Sequence, residues 1–222
     1  MKREFAVIGL GRFGGSICEE LSMEGMKVLA IDRSEQRINE FKDIATQSII
    51  LDSTDEQALK EIGIKNIDHV IVAIGDDIQA SILTTVILSD LEVKKITVKA
   101  QNDYHAKILT KIGAHQVVHP ERDMGKRLAH SIISNNILDY LELSEDHSIV
   151  EVKVSNKMIG KSLIELDVRK NYGCNVVAIK RGKKMNVSPN AHDGLLPEDI
   201  LIIIGADEDI SKLEKKLVLE DV

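Results

Sequence analysis

With 222 residues the chain is long for one domain and comfortable for two, at about 100–200 residues per domain. Aromatic residues make up only 3% of it against 43% hydrophobic residues, so its cores must rest on Ile, Leu, Val and Ala, a composition that suits buried parallel strands. The net charge of −7 argues against a nucleic-acid partner held through its phosphates, and no apolar run approaches the ~20 residues of a membrane helix. Two cysteines, Cys18 and Cys174, make no disulfide framework and suit a reducing cytoplasm. Met1-Lys2-Arg3-Glu4 leads straight into a strand, without the apolar core of a signal peptide.

Taken in order, Phe5–Ile8 reads as a strand ended by glycines, followed by a helix from Arg12 to about Glu24 that Gly25 closes. Val28–Ile31 is a second buried strand leading to Asp32, and Ser34 is the N-cap of a helix running to about Asp43. The alternation continues with strand Ser48–Leu51, helix Asp55–Ile62, strand His69–Ile74 and helix Ile78–Leu91. Strand Ile96–Ala100, helix Tyr104–Ile112 and strand Gln116–His119 complete it. Six strands alternating with helices predict a doubly wound parallel sheet in the order 3-2-1-4-5-6, because parallel neighbours need crossover helices.

After Pro120 the texture changes. Met124, Leu128, Ile132, Ile133 and Ile137 recur at helical spacing, so Arg122 to about Leu143 is expected to form one long amphipathic helix. Ser144-Glu145-Asp146-His147-Ser148 reads as a linker. Beyond it come strand Ile149–Val154, helix Ser162–Val168, strands Cys174–Lys180, Met185–Ser188 and Ile200–Ile204, and helix Asp209–Leu217. Gly-containing turns such as Arg181-Gly182-Lys183 favour antiparallel pairing, giving a second, smaller α+β domain. The expected division is 1–121, 122–143 and 144–222.

The glycine pattern Gly9-Leu10-Gly11-Arg12-Phe13-Gly14 follows a strand, opens a helix and precedes an acid at the end of the next strand. In that context Gly9 permits a tight turn, Gly11 admits phosphate to the backbone and Gly14 lets helix and strand pack closely. The helix N-terminus attracts an anion, and Asp32 would hold a ribose diol. Arg12 can clamp a phosphate or reach a phosphate bound by a neighbouring subunit. Arg33 suits a ribose 2′-phosphate, an adenine face or solvent. Ala73-Ile74-Gly75 ends the fourth strand beside the ligand crevice, and Lys99 at the end of the fifth either approaches phosphate or lies on the surface. From spacing, Glu121 reads first as an acid of a helix's first turn and second as a ligand for a nucleotide-bound cation.

Catalytic machinery is not visible. The second domain is short, His147 and His192 are isolated on polar loops, neither cysteine has a histidine close in sequence, and no Cys/His cluster has zinc spacing. A nucleotide sensor fits these residues better than an enzyme. Asp32 nevertheless suits NAD(H) as readily as ATP, so an NAD(H)-binding redox sensor or oxidoreductase is the alternative.

The run Phe5–Ser16, the segments Val70–Gly75 with Ile78–Ser81, Val98–Gln101, and Ile112-Gly113-Ala114 leading to His119-Pro120-Glu121 resemble the regulatory subunits of Ktr-type bacterial potassium transporters. These are the KtrA/KtrC family, built from an RCK (KTN) domain, and Asn102–His105 with Asp139–Ser144 resemble its KtrC branch. The resemblance covers the whole chain. It implies a cytoplasmic protein, peripheral to the membrane, whose dimers assemble into an octameric ring beneath a separate K⁺-translocating membrane subunit. It further implies ATP or ADP in the Rossmann site, with Gly9, Gly11 and Gly14 at the phosphates and Asp32 at the ribose. Phe13, Arg33, Asp52, Ser53, Ile74, Gly75 and Lys99 complete that set. Arg12 would read the γ-phosphate in the adjacent subunit, and Glu121 would join an intersubunit cation site for Mg²⁺, Ca²⁺ or Na⁺. In the second domain Ile164, Arg169, Asn175, Val176 and Pro189 match a cyclic di-AMP pocket at a dimer interface. The amphipathic segment after Arg122 would bury its apolar face on a partner protomer.

Overall fold

The structure, a computed structural model, describes residues 3–133, 137–144 and 146–218. The chain divides into two compact units, Met1–Pro120 and Glu121–Val222.

The first unit runs β1 (Glu4–Ile8), α1 (Arg12–Met23), β2 (Lys27–Asp32), α2 (Glu35–Phe41), β3 (Gln47–Ile50), α3 (Glu56–Glu61), β4 (His69–Val72), α4 (Ile78–Asp90), β5 (Ile96–Lys99), α5 (Asp103–Lys111) and β6 (Gln116–Val118). Its six strands pair in parallel in the expected order β3-β2-β1-β4-β5-β6. Side chains alternate between the two faces of a strand, and here both faces are buried. Ala6, Ile8, Leu29, Ile31, Val70, Val72, Ile96 and Val98 share one core with Leu59, Leu88 and Leu109 from the helices. Val7, Val28, Ala30 and Ile71 share the other with Cys18, Ile38 and Phe41. Each buried aliphatic side chain stabilises by roughly 1.5–3 kcal/mol, and the two cores fix the sheet between its helical layers.

At the hinge of that arrangement β1 turns into α1. Gly9 has φ +91°, a left-handed conformation that glycine alone adopts without cost, and a Cβ there would lie 3.1 Å from the Ala73 carbonyl carbon. A Cβ on Gly14 would sit 1.9 Å from the Gly9 carbonyl oxygen. The first turn of α1 therefore rests directly on backbone.

The second unit contains α6 (Pro120–Ile133), β7 (Ile137–Ser144), β8 (His147–Lys153), α7 (Leu163–Leu166), α8 (Val168–Tyr172), β9 (Asn175–Arg181), β10 (Lys184–Asn186), β11 (Ile200–Ala206) and α9 (Asp207–Leu213), with a wider helical turn over Glu214–Val218. Five antiparallel strands are ordered β10-β9-β11-β8-β7. Val150, Val152, Leu201 and Ile203 form the centre of its core with Met158, Leu166, Leu195 and Leu213. Two polar clusters hold its edges. Arg181 donates from Nε at 2.8 Å and Nη2 at 2.7 Å to the fully buried Asp199 carboxylate, holding its pKa below the ordinary range. Tyr140 and Ser148 hydroxyls both donate to Asp207 at the start of α9, at 3.0 and 2.6 Å.

Three expectations are corrected. The helix expected to reach Leu143 ends at Ile133, and Ile137–Ser144 is an edge strand paired with β8. The intervening Ser134-Asn135-Asn136 lie outside the described residues. Pairing with β8 and the Tyr140 hydroxyl contact then hold the following residues extended. The expected linker at 144–148 is a hairpin connection, since Ser144 and His147 are cross-strand partners. The single helix expected over 162–168 breaks at Asp167, whose φ of +41° separates α7 from α8.

Replacing Gly14 by alanine places a methyl group inside the contact distance of the Gly9 carbonyl, a backbone atom that cannot rotate away. Overpacking of this kind costs about 1–3 kcal/mol. Thermal denaturation of Gly14→Ala is expected to show a lowered midpoint, by about 2–4 °C per kcal/mol for a chain of this size. An unchanged midpoint would show that the turn relaxes freely.

Candidate nucleotide-binding site

The expected site residues on the first unit lie at or past the carboxyl ends of β1, β2, β3, β4 and β5, with the phosphate loop after β1. This is the point where the strand order reverses, because β1 lies between β2 and β4. Gly11 is the N-cap of α1, has φ −69° and ψ −172°, and offers no side chain to the helix's first amides. A Cβ on Gly11 would meet only Arg37, at 3.8 Å. Gly9 and Gly14 are thus required by protein packing, whereas Gly11 leaves space beside a helix N-terminus.

Asp32, the last residue of β2, is only 5% exposed. Its Oδ2 accepts from the Leu10 N–H at 2.7 Å and its Oδ1 from the Ser34 N–H at 2.8 Å. The carboxylate is thereby fixed beside the phosphate loop with lone pairs left over, since it can accept about four hydrogen bonds. Ser34 is the N-cap of α2 as expected, its Oγ accepting from the Arg37 N–H.

On the opposite side of the crevice Lys99 lies with Nζ 5.9 Å from the centre of the Phe13 ring, and a Cβ on Gly75 would be 3.5 Å from that nitrogen. Lys99, Phe13 and Gly75 therefore converge from β5, α1 and the end of β4. Ile74 is half-buried against the core beneath them. Arg12 is exposed on the first residue of α1, and among the described residues it has no ion-pair partner in this chain.

At the rim Arg33 Nη1 stands 3.9 Å from Asp77, the N-cap of α4. Asp52 is exposed, and the Thr54 N–H and hydroxyl, followed by Arg33, hold its carboxyl below the usual range. Ser53 is buried, with its Oγ 2.8 Å from the Thr84 hydroxyl of α4, so it serves packing between the β3 end and that helix. Sequence reasoning missed two residues here. Asp77 was legible as an N-cap before Ile78. Arg37 sits five residues past Asp32 at the third position of α2 and reaches back to Asp32 Oδ2 at 3.4 Å. Its signal was a basic residue one turn into a helix that begins directly beyond the ribose acid.

The remaining expected residues belong to the second unit. Glu121 is exposed in the first turn of α6, and no group of three or more His, Cys, Asp or Glu with metal-holding geometry occurs among the described residues. Ile164 is exposed on α7, and its N–H donates to the Ala191 carbonyl at 2.8 Å, which holds the loop carrying Pro189 against that helix. Arg169, exposed on α8, precedes the left-handed Gly173, and Asn175 is the exposed first residue of β9. Val176 turns partly into the core.

Residues 5–120 match the TrkA-N domain family and residues 147–218 the TrkA-C domain family. The chain is 61% identical over 218 residues to the Ktr system potassium uptake protein C of Bacillus subtilis, covering 98% of this chain and 99% of that protein. It is 47% identical over 214 residues to the Ktr system potassium uptake protein A of the same organism, covering 96% of each. Among solved structures, a GsuK channel bound to NAD superposes with a TM-score of 0.72 at 15% identity, covering 100% of this chain and 40% of that one, a likeness of fold. With the parallel sheet, the phosphate loop and the separate antiparallel unit in place, the chain belongs to the RCK-domain Ktr system potassium uptake proteins.

Proposed function

We propose that the chain is a cytoplasmic nucleotide sensor that regulates K⁺ uptake through a separate membrane subunit and has no catalytic role of its own. The observation that carries this reading is the convergence at one strand-reversal point of an open helix N-terminus at Gly11, the buried Asp32, and Lys99 over Phe13 and Gly75. Such a crevice takes a phosphorylated nucleoside, and the Ktr relatives supply the transport context. No helix is long and apolar enough to cross a membrane among the described residues, and the likeness to the Ktr system proteins supports a K⁺ path in a separate subunit.

ATP and ADP differ only by the γ-phosphate, and a ligand shifts an equilibrium only by its differential affinity for the two states. Arg12, exposed on the first residue of α1, would read that phosphate across a subunit boundary. Glu121 supplies one exposed carboxylate per chain. Mg²⁺, Ca²⁺ or Na⁺ would draw its other ligands from phosphates and a second copy.

Assembly into a ring of dimers is supported by exposed apolar surface among the described residues. Met124, Leu128 and Ile132 recur every four residues along α6, and Leu128 and Ile132 are 56% and 69% exposed. On the first unit, α4 is apolar on its outer side as well, where Ile78, Gln79, Ile82, Leu83 and Val86 line a groove of about 500 Å³. In the second unit, Ile164, Arg169, Asn175, Val176 and Pro189 are read as one half of a cyclic di-AMP site.

Calorimetry with ATP, ADP, NAD⁺ and NADH tests the ligand class. NADH binding far more tightly than ATP and ADP would replace this reading with the redox alternative. Arg12→Ala is expected to leave ADP affinity nearly intact and to abolish ATP-dependent K⁺ flux through the membrane subunit in proteoliposomes; equal loss of both ligands would exclude an intersubunit role. Leu128→Glu combined with Ile132→Glu is expected to reduce the particle mass measured by light scattering, and an unchanged mass would place the interface elsewhere. Arg169→Ala is expected to weaken cyclic di-AMP binding at least about tenfold, as loss of a charge-assisted phosphate contact does, with ADP binding unaltered.

A further inference from the structure

Asp32 holds one partner more than its backbone anchoring requires. Besides the Leu10 N–H, its Oδ2 faces Arg37 Nη1 at 3.4 Å. That oxygen lies on the phosphate-loop side, so a ribose hydroxyl hydrogen-bonded to it would take the place of the guanidinium. A Cβ built on Gly11 would lie 3.8 Å from the same Nη1. Arg37 thus stands between the ribose acid and the middle glycine of the phosphate loop.

Its backbone cannot follow a ligand. Arg37 is in the first turn of α2, with its N–H held by the Ser34 hydroxyl. The side chain can, since it is 47% exposed and its contact with the buried Asp32 carboxylate is a long one. Arg33 is differently placed, between Asp77 and Asp52 on the rim.

We propose that Arg37 is a specificity-determining residue, an inference that rests on the nucleotide-binding reading of this site. Its guanidinium yields Asp32 Oδ2 to a ribose hydroxyl and takes up a phosphate oxygen above Gly11. A nucleotide then replaces the displaced ion pair with a charge-assisted contact, whereas a nucleoside displaces it and offers nothing in return. The residue sets a preference for phosphorylated ligands that the glycine loop alone would leave weaker.

The test uses the full-length protein, with ADP binding measured by calorimetry and adenosine binding by displacement of a fluorescent ADP analogue. Arg37→Met is expected to weaken ADP about tenfold, the scale of one hydrogen bond to a charged group, while adenosine binds equally well or more tightly. Arg37→Lys, which keeps the charge, is expected to retain most of the ADP affinity. A parallel loss of ADP and adenosine in Arg37→Met, or unchanged ADP binding, would overturn the inference, because a merely structural role moves both ligands together. A wild-type chain that binds neither would overturn the nucleotide reading and this inference with it.

Discussion

The contact between Gly14 and the Gly9 carbonyl governs where everything else in the first unit can lie. No side-chain atom fits between them, so the axis of α1 starts directly above the end of β1. Gly9 in turn lies against the backbone of Ala73 and Ile74, which presses β1 and β4 together at the reversal of strand order. The amides of the first turn of α1 are consequently aimed into a crevice whose walls are β2 on one side and β4 with β5 on the other. Asp32 and Lys99 occupy those walls because they are the terminal residues of β2 and β5. Side chains supply the chemistry of the site, but their positions are inherited from two glycines.

The charges at this crevice run against the chain as a whole. The net charge is −7, yet Arg12, Arg33, Arg37 and Lys99 all belong to the loop and its rim. At physiological salt the distant acidic surface is screened beyond about 8 Å, so the local cations decide whether an anion enters. Among them, Arg33 and Arg37 stand beside acids, Asp77 and Asp32, at 3.9 and 3.4 Å. The Arg33–Asp77 pair is exposed on both sides and is typically worth about 0–1 kcal/mol, whereas Asp32 is buried and its contact with Arg37 is long. Both contacts keep the arginines beside the crevice. Lys99 is held differently, with its ammonium 5.9 Å from the centre of the Phe13 ring.

How much of this was legible follows from the kind of signal each part carries. The Rossmann sheet was plain because each strand is a short aliphatic run cut by Gly, Asp or Asn, and both faces of the sheet are buried. N-caps such as Ser34 could be placed because a hydroxyl at that spot satisfies an otherwise orphaned amide. The failure at Ile137–Ser144 has the opposite origin. A helical spacing from Met124 to Ile137 continues across the break by coincidence, and the strand is fixed by long-range pairing with β8 and by Tyr140 reaching Asp207, which local pattern does not encode. Asp167 is a similar case, an acid in a left-handed conformation that a helical pattern absorbs without trace. Arg37 was overlooked because a motif names the acid and the glycines, whereas the arginine's role depends on how α2 folds back over the loop.

One helix links the ligand crevice to the surface available for assembly. Asp77 caps α4 and faces Arg33, while Gly75, two residues earlier, lies beside Lys99. Further along, Thr84 is tied to Ser53 at the end of β3 by a buried hydroxyl pair, and Ile87 and Leu88 are locked in the core. The outer side of the same helix is the apolar groove of Ile78, Ile82, Leu83 and Val86. A ligand that draws on Arg33 or Lys99 therefore acts on the capped first turn of an element whose remaining length is rigidly packed. Close-packed helices tend to shift as units, so a displacement of the first turn of α4 would be carried along the helix towards the groove. A partner in that groove would couple to the nucleotide only by binding one position of α4 better than another, and the coupling would then be reciprocal.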